Sequence, residues 1–224
     1  MSLVFAEPFH TVHVELILRN IGNSAGELHS SFLCYLKWRR ENGYNTTIMV
    51  TVNVLEDASR SRCHLLLYRN VENAIDLRKM IMEGQVEASL IKPEMVVSAF
   101  QVLVAANKAV RSLEAKKMTT RSVFSEIIFN LSPTKNISES LLRFGLGDSD
   151  KDILAVVVDP DVEPKVEKLS GQIQGQLVPL DELSSLTNVQ KVTETYKITK
   201  EELTMSSLSD GVISRMACKE FYPK

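Results

Sequence analysis

The regular alternation of apolar and polar residues in this chain begins at residue 48. The segment IMVTVNVL (48–55) alternates as a half-buried strand does, and RCHLLLY (62–68) is a short apolar run of strand length. The polar EDASRS between them is typical of a turn. The pattern therefore predicts two strands joined as a hairpin.

Helical periodicity follows this hairpin. In VENAIDLRKMIMEG the residues Ala74, Leu77 and Ile81 share one helical face, and Gly84 stands where a C-terminal cap is expected. The next run, FQVLVAANKAVRSL (100–113), is apolar nearly all round in its first half, which predicts a helix buried on most sides.

The second of these helices carries an asparagine beside a lysine. The face predicted to point into the core contains Phe100, Leu103, Asn107 and Val110. Asn107 is therefore predicted to be a structural amide that bonds neighbouring backbone, because an unpaired buried amide costs about 1–3 kcal/mol. Lys108 falls with Gln101 and Ser112 on the face predicted to meet solvent.

The middle of the chain predicts a strand and then a helix. VFSEIIFNL (123–131) has the β-branched and aromatic residues of a central strand. A helix follows, with Asn136 and Glu139 as its capping box and Gly145 as its stop. Its predicted apolar stripe is Ile137, Leu141 and Phe144.

The last third predicts two strands and a terminal helix. DILAVVV (152–158) is apolar throughout, as a strand covered on both faces is, and GQLVPL is a further short strand. Thr199 and Glu202 form a second capping box, which begins the C-terminal helix. The apolar stripe predicted along that helix is Met205, Leu208, Val212 and Met216.

This alternation predicts an α/β (α+β) domain over residues 47–224, with a mixed sheet that starts in an N-terminal hairpin, several helices packed on it and a C-terminal helix. Residues 1–46 do not join the pattern and are too few to hold a core of their own. A chain that begins at Asn45 is therefore expected to fold.

Composition narrows the function classes. The 26 Lys and Arg nearly balance the 28 Asp and Glu, so no whole-protein field attracts nucleic acid or anionic lipid, and such binding needs a local patch. The three cysteines are far apart and have no CxxC spacing, so neither a disulfide framework nor a zinc site is indicated. With no signal-like N-terminus and no membrane-length apolar run, the chain is expected in cytoplasm and nucleus.

Catalytic and cofactor motifs are weak. His10-x-x-His13 lacks helical spacing and a third ligand, so no metal is expected there. Gly145-x-Gly147 follows a helix rather than preceding one and fails as a dinucleotide motif. The acidic DSDKD (148–152) does not match a calcium loop and is interpreted as a solvated turn. No cofactor and no catalytic residue is predicted.

A basic group remains as candidate chemistry. It consists of Lys108, Arg111, Lys116, Lys117 and Arg121. These cations suit a phosphate backbone, which Lys and Arg bind without reading sequence. They also suit a solvated helix end, where positive charge complements the helix dipole. Composition alone favours the second interpretation.

Four segments carry a resemblance to a known family: DLRKMIMEG, FQVLVAANKAV, TTRSVFSEIIFNLSPTKNISESLLRFG and the terminal GVISRMACKE. In this order they resemble the PRPK-binding proteins, the kinase-binding subunits of the KEOPS (EKC) complex, from about Ile48 to Lys224. Residues 1–46 have no counterpart in that family, and Gly211 stands where the family prefers alanine.

The resemblance implies a non-enzymatic subunit that docks on the N-lobe of the atypical Bud-type kinase PRPK, in a complex with the catalytic subunit OSGEP. The complex makes N6-threonylcarbamoyladenosine (t6A) next to the anticodon of tRNAs that read ANN codons. Archaeal relatives also bind the tRNA 3′ CCA end, and the matching positions here are Lys108, Thr120, Arg121 and Glu126.

Two sets of contact residues follow as expectations. The tRNA contacts are expected at Lys108, Lys116, Lys117 and Arg121. The kinase contacts are expected on the terminal helix at Leu208, Val212, Ile213 and Met216. The alternative function is a stand-alone α/β enzyme that binds a small molecule; the shortage of histidines near the apolar core and the missing phosphate loop count against it.

Overall fold

Five strands form one antiparallel sheet in the structure, a computed structural model that describes residues 51–55, 61–159 and 163–221. The strands are β1 (Thr51–Val54), β2 (Arg62–Arg69), β3 (Ser89–Ile91), β4 (Ile153–Asp159) and β5 (Gln176–Val178). They run in the order β1-β2-β4-β3, and β5 pairs with the end of β2.

The predicted hairpin is confirmed, because β1 pairs with β2 from Val54 opposite Arg62 to Thr51 opposite Leu65. Most of its predicted turn, residues 56–60, lies outside the described residues. The expected mixed sheet is antiparallel in every described strand pair. The helices between β3 and β4 contribute to one core cluster, and β4 runs antiparallel to β3.

The helices cover both faces of the sheet, which confirms the predicted α/β class. They are α1 (Ala74–Met82), α2 (Ala99–Glu114), α3 (Val123–Leu131), α4 (Ile137–Phe144), α5 (Glu163–Gln172), α6 (Leu183–Leu186), α7 (Val189–Tyr196), α8 (Lys200–Met205) and α9 (Leu208–Cys218). Short 3-10 turns lie at Pro93–Met95, Leu180–Glu182 and Lys219–Phe221.

β4 shows how the two cores meet. Leu154 and Val156 point into the cluster formed with α2, α3, α7 and α9, whereas Ala155 and Val157 point into the cluster formed with α1 and α5. Successive side chains of a strand point to opposite faces, so a strand covered on both sides is apolar throughout. The prediction of a doubly covered strand here is confirmed.

The prediction of a central strand at residues 123–131 is wrong, because the segment forms helix α3. Ser122 caps it, with Ser125 completing a reciprocal capping box. The helix places Glu126 and Asn130 one turn apart, where both are buried and bonded to backbone of other segments. Its β-branched residues fit a helix enclosed by α2, α4 and β3, since strand propensity depends strongly on context.

The predicted faces of α2 are only partly correct, because Val110 is buried and Leu103 packs against the core as expected, but other positions differ. Gln101, expected in solvent, is 0 % exposed, whereas Phe100, expected in the core, is exposed and Asn107 is half-buried. The buried face is built from small residues instead, including Ala105 and Ala109, which let α3 approach closely. The bonding expected of Asn107 stays a prediction.

Gln101 is buried because its amide forms hydrogen bonds with polar groups that would otherwise have no partner in the core. Its Oε1 accepts from the Val97 amide at 2.8 Å, and its Nε2 donates to the Tyr196 hydroxyl at 3.0 Å. Tyr196 donates in turn to the Leu131 carbonyl. This network joins α2, α7 and the end of α3, and each partner it satisfies offsets a desolvation cost.

Two further helical predictions change in detail. Helix α4 begins at Asn136, whose side chain accepts from the Glu139 amide at 3.1 Å, as predicted. Its predicted apolar stripe is confirmed only at Phe144, because Ile137 and Leu141 are exposed and Ser140 is buried instead. The single C-terminal helix is two helices, α8 and α9, because Ser207 caps a new start.

Candidate nucleic-acid interface

Helix α2 ends in a turn that exposes two lysines. Lys116 adopts a left-handed conformation (φ 53°), its amide donates to the Leu113 carbonyl at 3.0 Å, and the Lys117 amide donates to Ser112 at 2.8 Å. This is a Schellman cap with lysine where glycine is usual. It leaves both side chains exposed beside the negative end of the helix dipole.

The next loop is tied down by one buried carboxylate. Glu126, 2 % exposed, accepts from the Thr119 amide at 3.0 Å and from the Thr120 amide and hydroxyl, each at 2.7 Å. Hydrogen bonds to an ionised acceptor are about twice as strong as neutral ones. The loop conformation is therefore set from the first turn of α3, and it presents the exposed Arg121 next to the Ser122 cap.

Lys108 lies in a second basic cluster, two helical turns away from Lys116. Its Nζ is 3.0 Å from Oε1 of Glu220, and Nζ of Lys135 donates to the Glu220 backbone carbonyl at 3.1 Å. Both side chains of the ion pair reach solvent. The ammonium of Lys108 holds the pKa of Glu220 below its usual range.

Lys219 is the third lysine of this cluster and is 0 % exposed. Its Nζ donates to the Phe129 carbonyl and lies 3.2 Å from the centroid of the Phe129 ring. Burial, with a smaller contribution from the nearby Lys108, lowers the pKa of Lys219 to about 7. The 3-10 turn Lys219–Phe221 is thus anchored against α3.

The structure therefore divides the predicted basic group in two. Lys116, Lys117 and Arg121 line the α2–α3 loop, whereas Lys108 lies about 12 Å back along the helix axis. Lys108 lies close to Lys135, Lys219 and Glu220, none of which was predicted to belong to the basic group. Their spacing in the sequence does not predict this cluster, because its residues come from three distant segments.

The residues expected to contact the kinase also divide. Val212 and Met216 are 0 % and 2 % exposed and pack in the core, so their side chains offer no surface to a partner. Leu208 and Ile213 are half-buried and retain accessible area. The kinase contact stays a prediction, carried now by these two residues.

An exposed apolar residue lies on the preceding helix, α8, where Met205 is 87 % exposed. Helices α8 and α9 are held together by Arg215, which makes two bonds to the Glu202 carboxylate at 2.6 and 2.7 Å. The same guanidinium lowers the pKa of Glu202. The expected capping role of Thr199 is confirmed, since its side chain accepts from the Glu202 amide at 3.2 Å.

Other titratable groups offer little chemistry. Burial raises the pKa of Cys63 to about 12, and burial aided by Arg62 lowers that of His64 to about 4. Within the described ranges, no group of His, Cys, Asp and Glu is arranged to hold a metal ion, and no helix has the length and apolarity to cross a membrane. His10, His13 and His29 lie outside those ranges.

Comparisons with known proteins agree on one family. A family model described as kinase binding protein CGI-121 matches residues 68–220. The EKC/KEOPS complex subunit TPRKB of Danio rerio is 46% identical over 156 residues, which cover 69% of this chain and 89% of that protein. The EKC/KEOPS complex subunit cgi121 of Aspergillus terreus is 35% identical over 66% of this chain and 80% of its own length.

Proposed function

The chain belongs to the family of kinase binding protein CGI-121, and from this premise we propose that it is a non-catalytic subunit of the EKC/KEOPS complex. In this role it binds the Bud-type kinase PRPK, joins OSGEP through the complex and supports t6A modification by contacting tRNA. The names of its relatives support complex membership.

The observation that carries the tRNA contact is the loop tied to Glu126. A buried carboxylate with three bonds to one short loop fixes the backbone around Thr120 and so presents Arg121 and the exposed lysines in a set arrangement. A solvated helix end needs no such support. Exposed cations on a fixed loop suit the phosphates of an RNA strand, which bind by charge rather than by sequence.

The kinase contact is proposed on the exposed apolar side of α8 and α9. Met205 is exposed, Leu208 and Ile213 keep accessible apolar area, and the Arg215 to Glu202 link joins α8 to α9. The fully buried centre of a protein interface is more apolar than the rest of the protein surface. This surface shares no residue with the α2–α3 loop.

The test is co-purification with PRPK followed by tRNA binding measured over a range of salt concentrations. We expect a stoichiometric kinase complex. The triple change Lys108→Ala, Lys116→Ala, Arg121→Ala should flatten the log-log salt dependence by about 2 units, at about 0.7 per phosphate contact on a single strand. Kinase binding and the thermal midpoint should hardly change, because substitutions at accessible sites usually cost less than about 0.5 kcal/mol.

A matched control removes the same charge elsewhere. Lys79, Lys151 and Lys168 are exposed and lie away from the α2–α3 loop, on α1, before β4 and on α5. Their triple alanine variant should bind tRNA with nearly the original slope. Equal slopes for the two triple variants would leave the basic group as a solvated helix end, and the absence of a kinase partner would favour the stand-alone enzyme.

A further inference from the structure

Two lysines from different elements converge on one residue of the C-terminal segment. Lys108 comes from α2 and bonds the Glu220 side chain at 3.0 Å, and Lys135 comes from the turn before α4 and bonds the Glu220 backbone carbonyl at 3.1 Å. Two ammonium groups thus lie beside Glu220, one on its carboxylate and one on its backbone carbonyl, and both lower the pKa of the carboxyl. Paired ammonium donors of this kind also suit a phosphate group.

The ion pair between Lys108 and Glu220 is exposed enough for another anion to replace the carboxylate. The Glu220 side chain is 61% exposed and that of Lys108 is 33% exposed, so water reaches both partners. An ion pair of this exposure changes an equilibrium constant by about fivefold at most. A polyanion that brings several negative charges can therefore displace the carboxylate at little cost.

The backbone of the segment does not depend on that ion pair. The buried Lys219 anchors the turn through the carbonyl and ring of Phe129, and Lys135 bonds backbone rather than the carboxylate. Glu220 is therefore free to swing into solvent while the turn stays in place. Its carboxylate then ceases to neutralise Lys108.

We propose that Glu220 is a displaceable internal counter-charge, which occupies a phosphate-binding site formed by Lys108 and Lys135 and competes there with the RNA backbone. This inference rests on the proposed tRNA contact for its RNA ligand, although the anion site itself does not. Lys135 is then a further phosphate-binding residue beyond the loop cations.

The test is Glu220→Gln in the full chain, with tRNA and inorganic tripolyphosphate as separate probes. At low salt the variant should bind each probe about two- to fivefold more tightly. The slope of its salt dependence with tRNA should stay nearly the same, because Lys108 contacts the RNA in both proteins and only the competing carboxylate is removed. The matched control is Glu167→Gln, which removes the same charge from an exposed position on α5 and should leave both affinities unchanged.

A second background separates a direct contact from a general effect of charge. With Lys108→Ala present, Glu220→Gln should give no gain beyond the control. A gain that persists in that background, or a gain no larger than in Glu167→Gln, overturns the proposal. If no protein binds tRNA but the Lys108-dependent gain appears with tripolyphosphate, the anion site stands and the proposed tRNA function fails; no gain with either probe refutes the site.

Discussion

The buried Lys219 predicts a specific dependence of stability on pH. Burial lowers its pKa in the folded protein from 10.5 to about 7, so between these values the unfolded chain binds the proton and the folded chain does not. Stability must then rise with pH across this window, with a slope of at most about 1.4 kcal/mol per pH unit for one proton. Below about pH 7 both states are protonated and this contribution is flat.

The variant Lys219→Met keeps most of the apolar stem and removes the ammonium group. The Phe129 carbonyl keeps the Ser132 amide as a donor, so the substitution leaves no unpaired backbone acceptor there. We expect the variant to lack the rise in stability between pH 7 and 9. Its advantage over the unmodified protein should be largest at pH 7 or below, where the parent buries a charged amine.

The assay is urea unfolding at pH 6, 7, 8 and 9, with the free energy of unfolding compared at each pH. Lys168→Met is the matched control, because it removes an exposed lysine from α5 and keeps Lys219. The control should retain the parent's pH dependence. If the Lys219→Met curve runs parallel to the parent's from pH 7 to 9, the amine stays charged against the Phe129 ring, and the reasoning from burial is refuted.

Two other predictions concern the loop support and the N-terminal extension. Glu126→Gln should destabilise the protein by about 1–3 kcal/mol, because one loop donor loses its acceptor. The variant should also bind tRNA more weakly in a filter assay, while kinase co-purification persists. An unchanged salt dependence of tRNA binding would show that the loop does not need the Glu126 carboxylate. A chain that begins at Asn45 should unfold cooperatively with nearly the original thermal midpoint in a calorimetric scan, whereas a fall of more than about 10 °C would place residues 1–44 in the core.

Local signals predicted the caps of three helices. Gly84 ends α1 with a φ of 73° in a Schellman cap, and Asn136 and Thr199 cap the helices expected of them. Each of these depends on atoms within a few residues, so the sequence contains the whole cause. The hairpin and β4 were also predictable, because the order of apolar and polar residues along a strand indicates which of its faces are buried.

The candidate site was predictable only in part. Lys116, Lys117 and Arg121 follow one another in sequence and stay together in the structure. The partners of Lys108 come from segments 27 to 112 positions away, and no local pattern marks them. The support that Glu126 gives to Thr119 and Thr120 spans only six or seven residues, but it was hidden by the assignment of that segment to a strand.

The sequence by itself determined the helix caps at Gly84, Asn136 and Thr199, the strands of the hairpin and of β4, and the family to which the chain belongs. Tertiary structure decided which faces are buried: it enclosed VFSEIIFNL as helix α3, buried Gln101 and Lys219, and placed Val212 and Met216 in the core. The physical reason is that capping and turn preferences act within a few residues. Burial of an ambiguous apolar run, or of a polar group with its partners, depends on contacts that exist only after distant segments pack.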